Sequence, residues 1–175
     1  MSHTTELKSV PIKDINALRA AVNELKAQGL NVELEANAVP RMYSPDQLQR
    51  HMGRPSEQCD YVLRVKDAYY DVGFIRKEDG TFATVFDDYN YASSSVPATR
   101  EGKGPIRDVL GAKYEGRIEH WSGRKDDTEQ TLHSIGKLLQ GYTKHATINA
   151  AVQAGYQVQS AYTDAQGNVQ LELKA

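Results

Sequence analysis

The last third of the chain constrains the fold more than any other stretch. Over residues 126–155 apolar side chains recur at helical spacing (Leu132, Ile135, Leu139, Tyr142, Ala146, Ala150) behind the run Asp126-Asp127-Thr128-Glu129. Acidic and hydroxyl side chains at a helix start accept bonds from its free N–H groups and oppose the positive end of its dipole. Gly155 supplies the permissive residue just past the end. The spacing therefore predicts a helix over 127–154. The period then changes to two: Tyr156, Val158, Ser160 and Tyr162 alternate with Gln157, Gln159 and Ala161. Asp164-Ala165-Gln166-Gly167-Asn168 reads as a turn, and Val169, Leu171 and Leu173 alternate again. A long helix feeding a hairpin needs something to pack on, and the first half of the chain has to supply it.

That half opens with an apolar segment over 4–12 containing Pro11, which suits a strand end or edge. Asp14 is a good N-cap, Ile15, Leu18, Val22 and Leu25 form one stripe, and Gly29 ends the helix, predicted over 15–28. Leu30, Val32 and Leu34 then alternate with polar residues, completing a β-α-β unit. Pro45-Asp46-Gln47 starts a short helix to about His51. Tyr61, Leu63 and Val65 mark the next strand, and Tyr69 to Ile75 another. Glu78-Asp79-Gly80 makes a hairpin turn into the strand over 81–86. The expected fold class is α+β: an antiparallel-rich sheet, extended ferredoxin-like, with two main helices packed on one face. One domain spans 1–175, with an inserted loop at 90–125, where Ser93-Ser94-Ser95, Pro97, Gly102, Gly104 and Pro105 break every period.

A chain of 175 residues is long enough for one genuine core. The net charge of −2 implies no general attraction to nucleic acid or membrane, and no apolar run approaches the ~20 residues of a membrane span. One cysteine, Cys59, rules out an internal disulfide and fits a reducing compartment, so the expected location is cytoplasmic.

Chemistry-bearing constellations are few. Asp71, Asp87 and Asp88 lie on or beside strands, but two carboxylates in turn positions fall short of a metal site. His3, His51, His120, His133 and His145 include no H-x-x-x-H pair. His51 and Cys59 would make a nucleophile and base only if the fold brought them together. Gly102-Lys103-Gly104 with Arg100 and Arg107 lacks the spacing of a Walker or dinucleotide loop. No cofactor and no metal are expected.

Over 90–125 seven basic residues (Arg100, Lys103, Arg107, Lys113, Arg117, Arg124, Lys125) meet four acids (Glu101, Asp108, Glu115, Glu119), a surplus of three. Tyrosine is abundant, ten against three Phe and one Trp, and Tyr89, Tyr91 and Trp121 flank the basic stretch. Tyr, Trp and Arg combine large contact area with a polar handle, which is why interfaces are rich in them. The candidate binding residues are Tyr89, Tyr91, Arg100, Lys103, Arg107, Arg117, Trp121 and Arg124.

Three blocks resemble a family of plastid, cyanobacterial and tailed-phage proteins, the ycf thirty-five-like domain of unknown function. They are Met1-Ser2-His3 with Ile12-Lys13-Asp14…Leu18; Tyr70-Asp71-Val72-Gly73-Phe74 followed by a hairpin and Asp87; and Leu139-Gln140-Gly141-Tyr142 with Gly155-Tyr156-x-Val158 and Gly167-Asn168-Val169-x-Leu171. Residues 90–125 depart from the family pattern, being longer and more basic. The resemblance implies fold and context, including a host cytoplasm if the chain is of phage origin, and carries no catalytic residues across. The expected function is that of a non-catalytic binding or regulatory protein acting through protein–protein contact by the aromatic-flanked basic loop. Two alternatives stand beside it: nucleic-acid or phosphorylated small-molecule binding by the same loop, and an enzyme using Asp71, Asp87, His51 or Cys59. A homo-oligomer is left open.

Overall fold

The computed structural model describes residues 4–42, 46–87, 104, 106–111, 114–116, 118–120, 130–132, 135–164 and 168–174; at 4–10, 51, 107, 114–116, 118–120, 130–132 and 163 it describes the backbone alone. Its first half runs β1 (Thr4–Ile12), α1 (Ile15–Ala27), β2 (Val32–Ala38), α2 (Gln47–Met52), β3 (Cys59–Val65), β4 (Val72–Arg76) and β5 (Phe82–Asp87). There follow α3 (Ile106–Leu110), β6 (Tyr114–Gly116), β7 (Ile118–His120), β8 (Gln130–Leu132), α4 (Gly136–Gln153), β9 (Gln157–Thr163) and β10 (Val169–Lys174).

The local signals act as expected. Asp14 caps α1 by accepting from the Asn16 and Ala17 N–H groups at 2.8 and 3.1 Å. Gly29 beyond α1 and Gly80 in the β4–β5 turn take φ values of +90° and +81°, where a side chain would be strained. Pro11 has no N–H for a ladder and falls where the β1–β5 register shifts, between Leu7 and Ile12.

The main sheet is antiparallel, in the order β2-β3-β4-β5-β1-β7. Four sequential strands meander, and α1 carries the chain from β1 across the sheet to β2. The α+β class, the antiparallel sheet and the two main helices over one face are as the pattern predicts. The likeness to a ferredoxin-like fold stops after α4. The closing strands form their own two-stranded sheet instead of returning to the main one.

Both sheet faces are buried, because alternate residues in the central strands are apolar on each side. Leu63, Val72 and Phe86 lie in one cross-strand row, facing the core shared with Leu18, Val22 and Leu25 of α1 and Leu138, Leu139 and Tyr142 of α4. Val62, Gly73 and Val85 form the neighbouring row on the other face, in a smaller cluster closed by Met42 and by Leu48 of α2.

Two expectations need correction. The helix predicted over 127–154 begins at Gly136, and residues 130–132 instead form β8, paired with β6. Strand pairing with a partner remote in sequence outweighs the helical spacing of Leu132. The stretch 90–125 is also not loop throughout: β7 extends the main sheet beside β1, and Ile106 and Leu110 of α3 enter the large core.

Candidate interaction surfaces

Of the predicted binding residues, Tyr89, Tyr91, Arg100, Lys103, Arg117, Trp121 and Arg124 lie outside the described residues. Arg107 sits on α3, where its backbone alone is described. The register nevertheless places the strands that lead into them. Asp87, at the end of β5, pairs with Thr4, and His120, at the end of β7, pairs with Thr5. Asp87 and His120 thus stand at one end of the sheet, two strand spacings (~10 Å) apart. Gly104 is committed elsewhere. Its N–H donates to the Asp67 carbonyl at 3.0 Å and its carbonyl accepts from Tyr69 N–H at 3.0 Å, so this glycine turns no N–H toward a phosphate.

Asp71 has a structural role. Its side chain is fully buried and accepts from the Arg41 N–H (2.9 Å), Arg41 Nη2 (2.6 Å), Arg64 Nη1 (2.8 Å) and the Val65 N–H (3.1 Å), with Arg41 Nε at 3.0 Å. Arg64 Nε reaches Glu35 at 2.7 Å and its Nη1 the Val39 carbonyl at 2.8 Å. Two guanidiniums and two carboxylates balance, and together they tie the chain after β2 to the β3–β4 turn. Burial pushes the Asp71 carboxyl up, but the bonds from Arg41, Arg64 and the Val65 N–H outweigh it and hold the group below the usual carboxylate range. A carboxylate so occupied has no lone pairs left for a metal or a substrate proton.

Cys59 is completely buried in the smaller cluster, and burial pushes its thiol up to about 12. A thiol that stays protonated is a poor nucleophile. Asp87 is buried at the end of β5, and the His51 side chain lies outside the described ones. Among the described residues no three His, Cys, Asp or Glu side chains converge as a metal site would need. The set Asp71, Asp87, His51 and Cys59 thus loses Asp71 to the arginines and Cys59 to its protonated state.

Spacing alone did not reveal the seam between α1 and α4. Gly141 of α4 lies against Ala21 of α1 so closely that a Cβ there would stand 3.2 Å from the Ala21 Cβ. Beside this contact opens a groove of about 400 Å³, lined by Glu24, Gln28, Lys137, Gln140 and Lys144. Glu24 pairs with Lys144 and lies 2.9 Å from His145 Nε2. At the other end of the seam, the Tyr142 hydroxyl accepts from the Lys13 N–H at 2.8 Å, and Asn149 Nδ2 donates to Asp14 Oδ2 at 2.7 Å.

The second surface is the end of α4 and the β9–β10 hairpin. From Thr143 to Lys174 no described side chain is fully buried. Val152 (57% exposed), Tyr156 (44%), Tyr162 (58%) and Leu173 (43%) all come from this part. The alternation read over Tyr156 to Tyr162 breaks in β9: Val158 pairs with Leu173 and Ser160 with Glu172, so Val158 and Tyr162 face opposite sides of the hairpin.

Comparison with protein-family models, with curated proteins and with solved structures finds no match for this chain. Among the described residues, no helix is long and apolar enough to cross a membrane.

Proposed function

We propose that this is a non-catalytic binding protein that acts through protein–protein contact. The observation that carries the reading is the C-terminal segment, where Val152, Tyr156, Tyr162 and Leu173 are exposed and no described side chain is buried; Tyr162 lies with Gln170 on one face of the hairpin and Leu173 with Leu171 on the other. A two-stranded sheet is marginal by itself in water, and apolar side chains left exposed on both of its faces are surface that a partner can cover. The basic stretch bearing Arg100, Lys103, Arg107, Arg117 and Arg124 is the second element of the proposal. It is supported by the common end of the sheet at which the strands before Tyr89, Tyr91 and Trp121 finish.

The test is affinity capture from a cell lysate with identification by mass spectrometry, comparing the wild type with Tyr162→Ser/Leu173→Ser and with Trp121→Ala. Loss of captured protein in at least one variant is expected. Capture indifferent to both, with submicromolar oligonucleotide binding that falls steeply with salt, overturns the reading in favour of nucleic acid.

A further inference from the structure

Resting on the protein-binding reading, we propose that the occupant of the C-terminal surface is a second copy of this chain, joined through the outer edge of β10. β9 and β10 pair only with each other among the described strands, so each has one open edge. The two edges are not equivalent. Ser160 pairs with Glu172 and Val158 with Leu173, so Gln159 is an extra residue bulged out of β9. A bulge twists an edge away from further pairing. No such irregularity interrupts β10, which alternates Val169, Leu171 and Leu173 with Gln170, Glu172 and Lys174. Among the described residues the main sheet offers no equal: β2 carries Asn37 at φ +51° and holds Glu35 in an ion pair with Arg64, and β7 spans three residues.

Two β10 strands meeting antiparallel about a two-fold axis at Leu171 match in both apolar and charged character. Leu171 faces its own copy, and Val169 faces Leu173 of the partner. Gln170 faces Glu172 of the partner, an amide donor opposite a carboxylate, while Lys174 faces Asn168. No charge sits directly opposite a like charge. The contact is self-complementary, as a closed two-fold dimer requires. It converts two hairpins into one four-stranded sheet and lengthens the row of Val169 and Leu171, which are only half-buried in one copy, with Leu173 more exposed still. Cross-strand pairs of this kind are what stabilise a sheet.

Position 170 tests the register because Gln170 is exposed; its Nε2 also donates to Asp164 Oδ2 of its own hairpin at 3.2 Å, so the stability of each variant is measured beside its association. Sedimentation equilibrium of the full chain is expected to show a dimer. Gln170→Glu, which opposes two carboxylates twice over, should weaken it about tenfold or more, and Gln170→Lys should tighten it; the contrast should shrink at high salt. Leu171→Cys is expected to form a disulfide-linked dimer on mild oxidation, since opposed Cα atoms in an antiparallel pair lie ~4.5–5.5 Å apart. Lys174→Cys, away from the axis, should not. A folded chain that stays monomeric at every concentration overturns the proposal, as does a dimer indifferent to position 170 without crosslinking at 171. If the chain is monomeric yet captures another protein through Tyr162 and Leu173, the second copy is wrong and the protein-binding reading survives.

Discussion

At Asp71 five donor groups from Arg41, Arg64 and Val65 surround one buried carboxylate, so its removal strands two guanidiniums beside the sheet. Arg64 is 22% exposed and Arg41 38%, and both can turn partly to water, so Asp71→Ala should cost about 3 kcal/mol, the lower end for a broken buried pair. Chemical denaturation measures it. The pH dependence follows from the sign of the shift: the folded carboxyl titrates lower than the unfolded one. Its contribution is therefore complete above the unfolded value and is lost as pH falls below about 4 toward the folded value. Asp71→Asn should be less stable than wild type at pH 7, and the gap should narrow steadily under acid. Cys59 gives a simpler expectation. A fully buried thiol with a pKa of about 12 should ignore a thiol reagent in the native protein at pH 8 and react at once after unfolding.

At the scale of elements, the α1–α4 seam holds the larger core together. Tyr142 accepts from the Lys13 N–H at 2.8 Å and the Asp14 N–H at 3.2 Å, so one hydroxyl of α4 secures the N-cap of α1 and the residue before it. Tyr142→Phe should cost about 1 kcal/mol, measured by denaturant unfolding, because two N–H groups lose their acceptor where water reaches only in part. Close approach matters as much. A Cβ at Gly141 would stand 3.2 Å from the Ala21 Cβ, closer than ordinary contact, so Gly141→Leu should destabilise by about 2 kcal/mol through overpacking. Paired with Ala21→Gly, the loss should be smaller than the sum of the two single effects, since the residues share one contact. Additive effects would show that the helices part elsewhere.

For the whole molecule, burial divides the chain into a firm part and a weaker one. β3, β4 and β5 are covered on both faces, whereas nothing described from Thr143 to Lys174 is fully buried. Hydrogen exchange should therefore be slowest in β3–β5 and fast in β9–β10 at low concentration, because local opening of the hairpin exposes little new apolar surface. Protection of β10 amides that rises with protein concentration is the counterpart of the proposed dimer. Uniform protection across both sheets would mean that the hairpin is held by contacts other than those described here.

What the sequence by itself determined is whatever depends on neighbours within a turn or two. Asp14 caps its own helix. Gly29, Gly80 and Gly155 mark ends and turns through positive φ, and alternation marks β2 and β10. What only the tertiary structure decided depends on residues far apart in the chain. The start of α4 at Gly136 followed from the pairing of β8 with β6, which outweighed an acidic run and helical spacing. The role of Asp71, a candidate for chemistry by residue type, was settled by Arg41, thirty positions away. The strand order, with β1 between β5 and β7, left no local trace. Caps and turns act through bonds a few residues long, while a buried charge and a strand register take their free energy from partners that no periodicity announces.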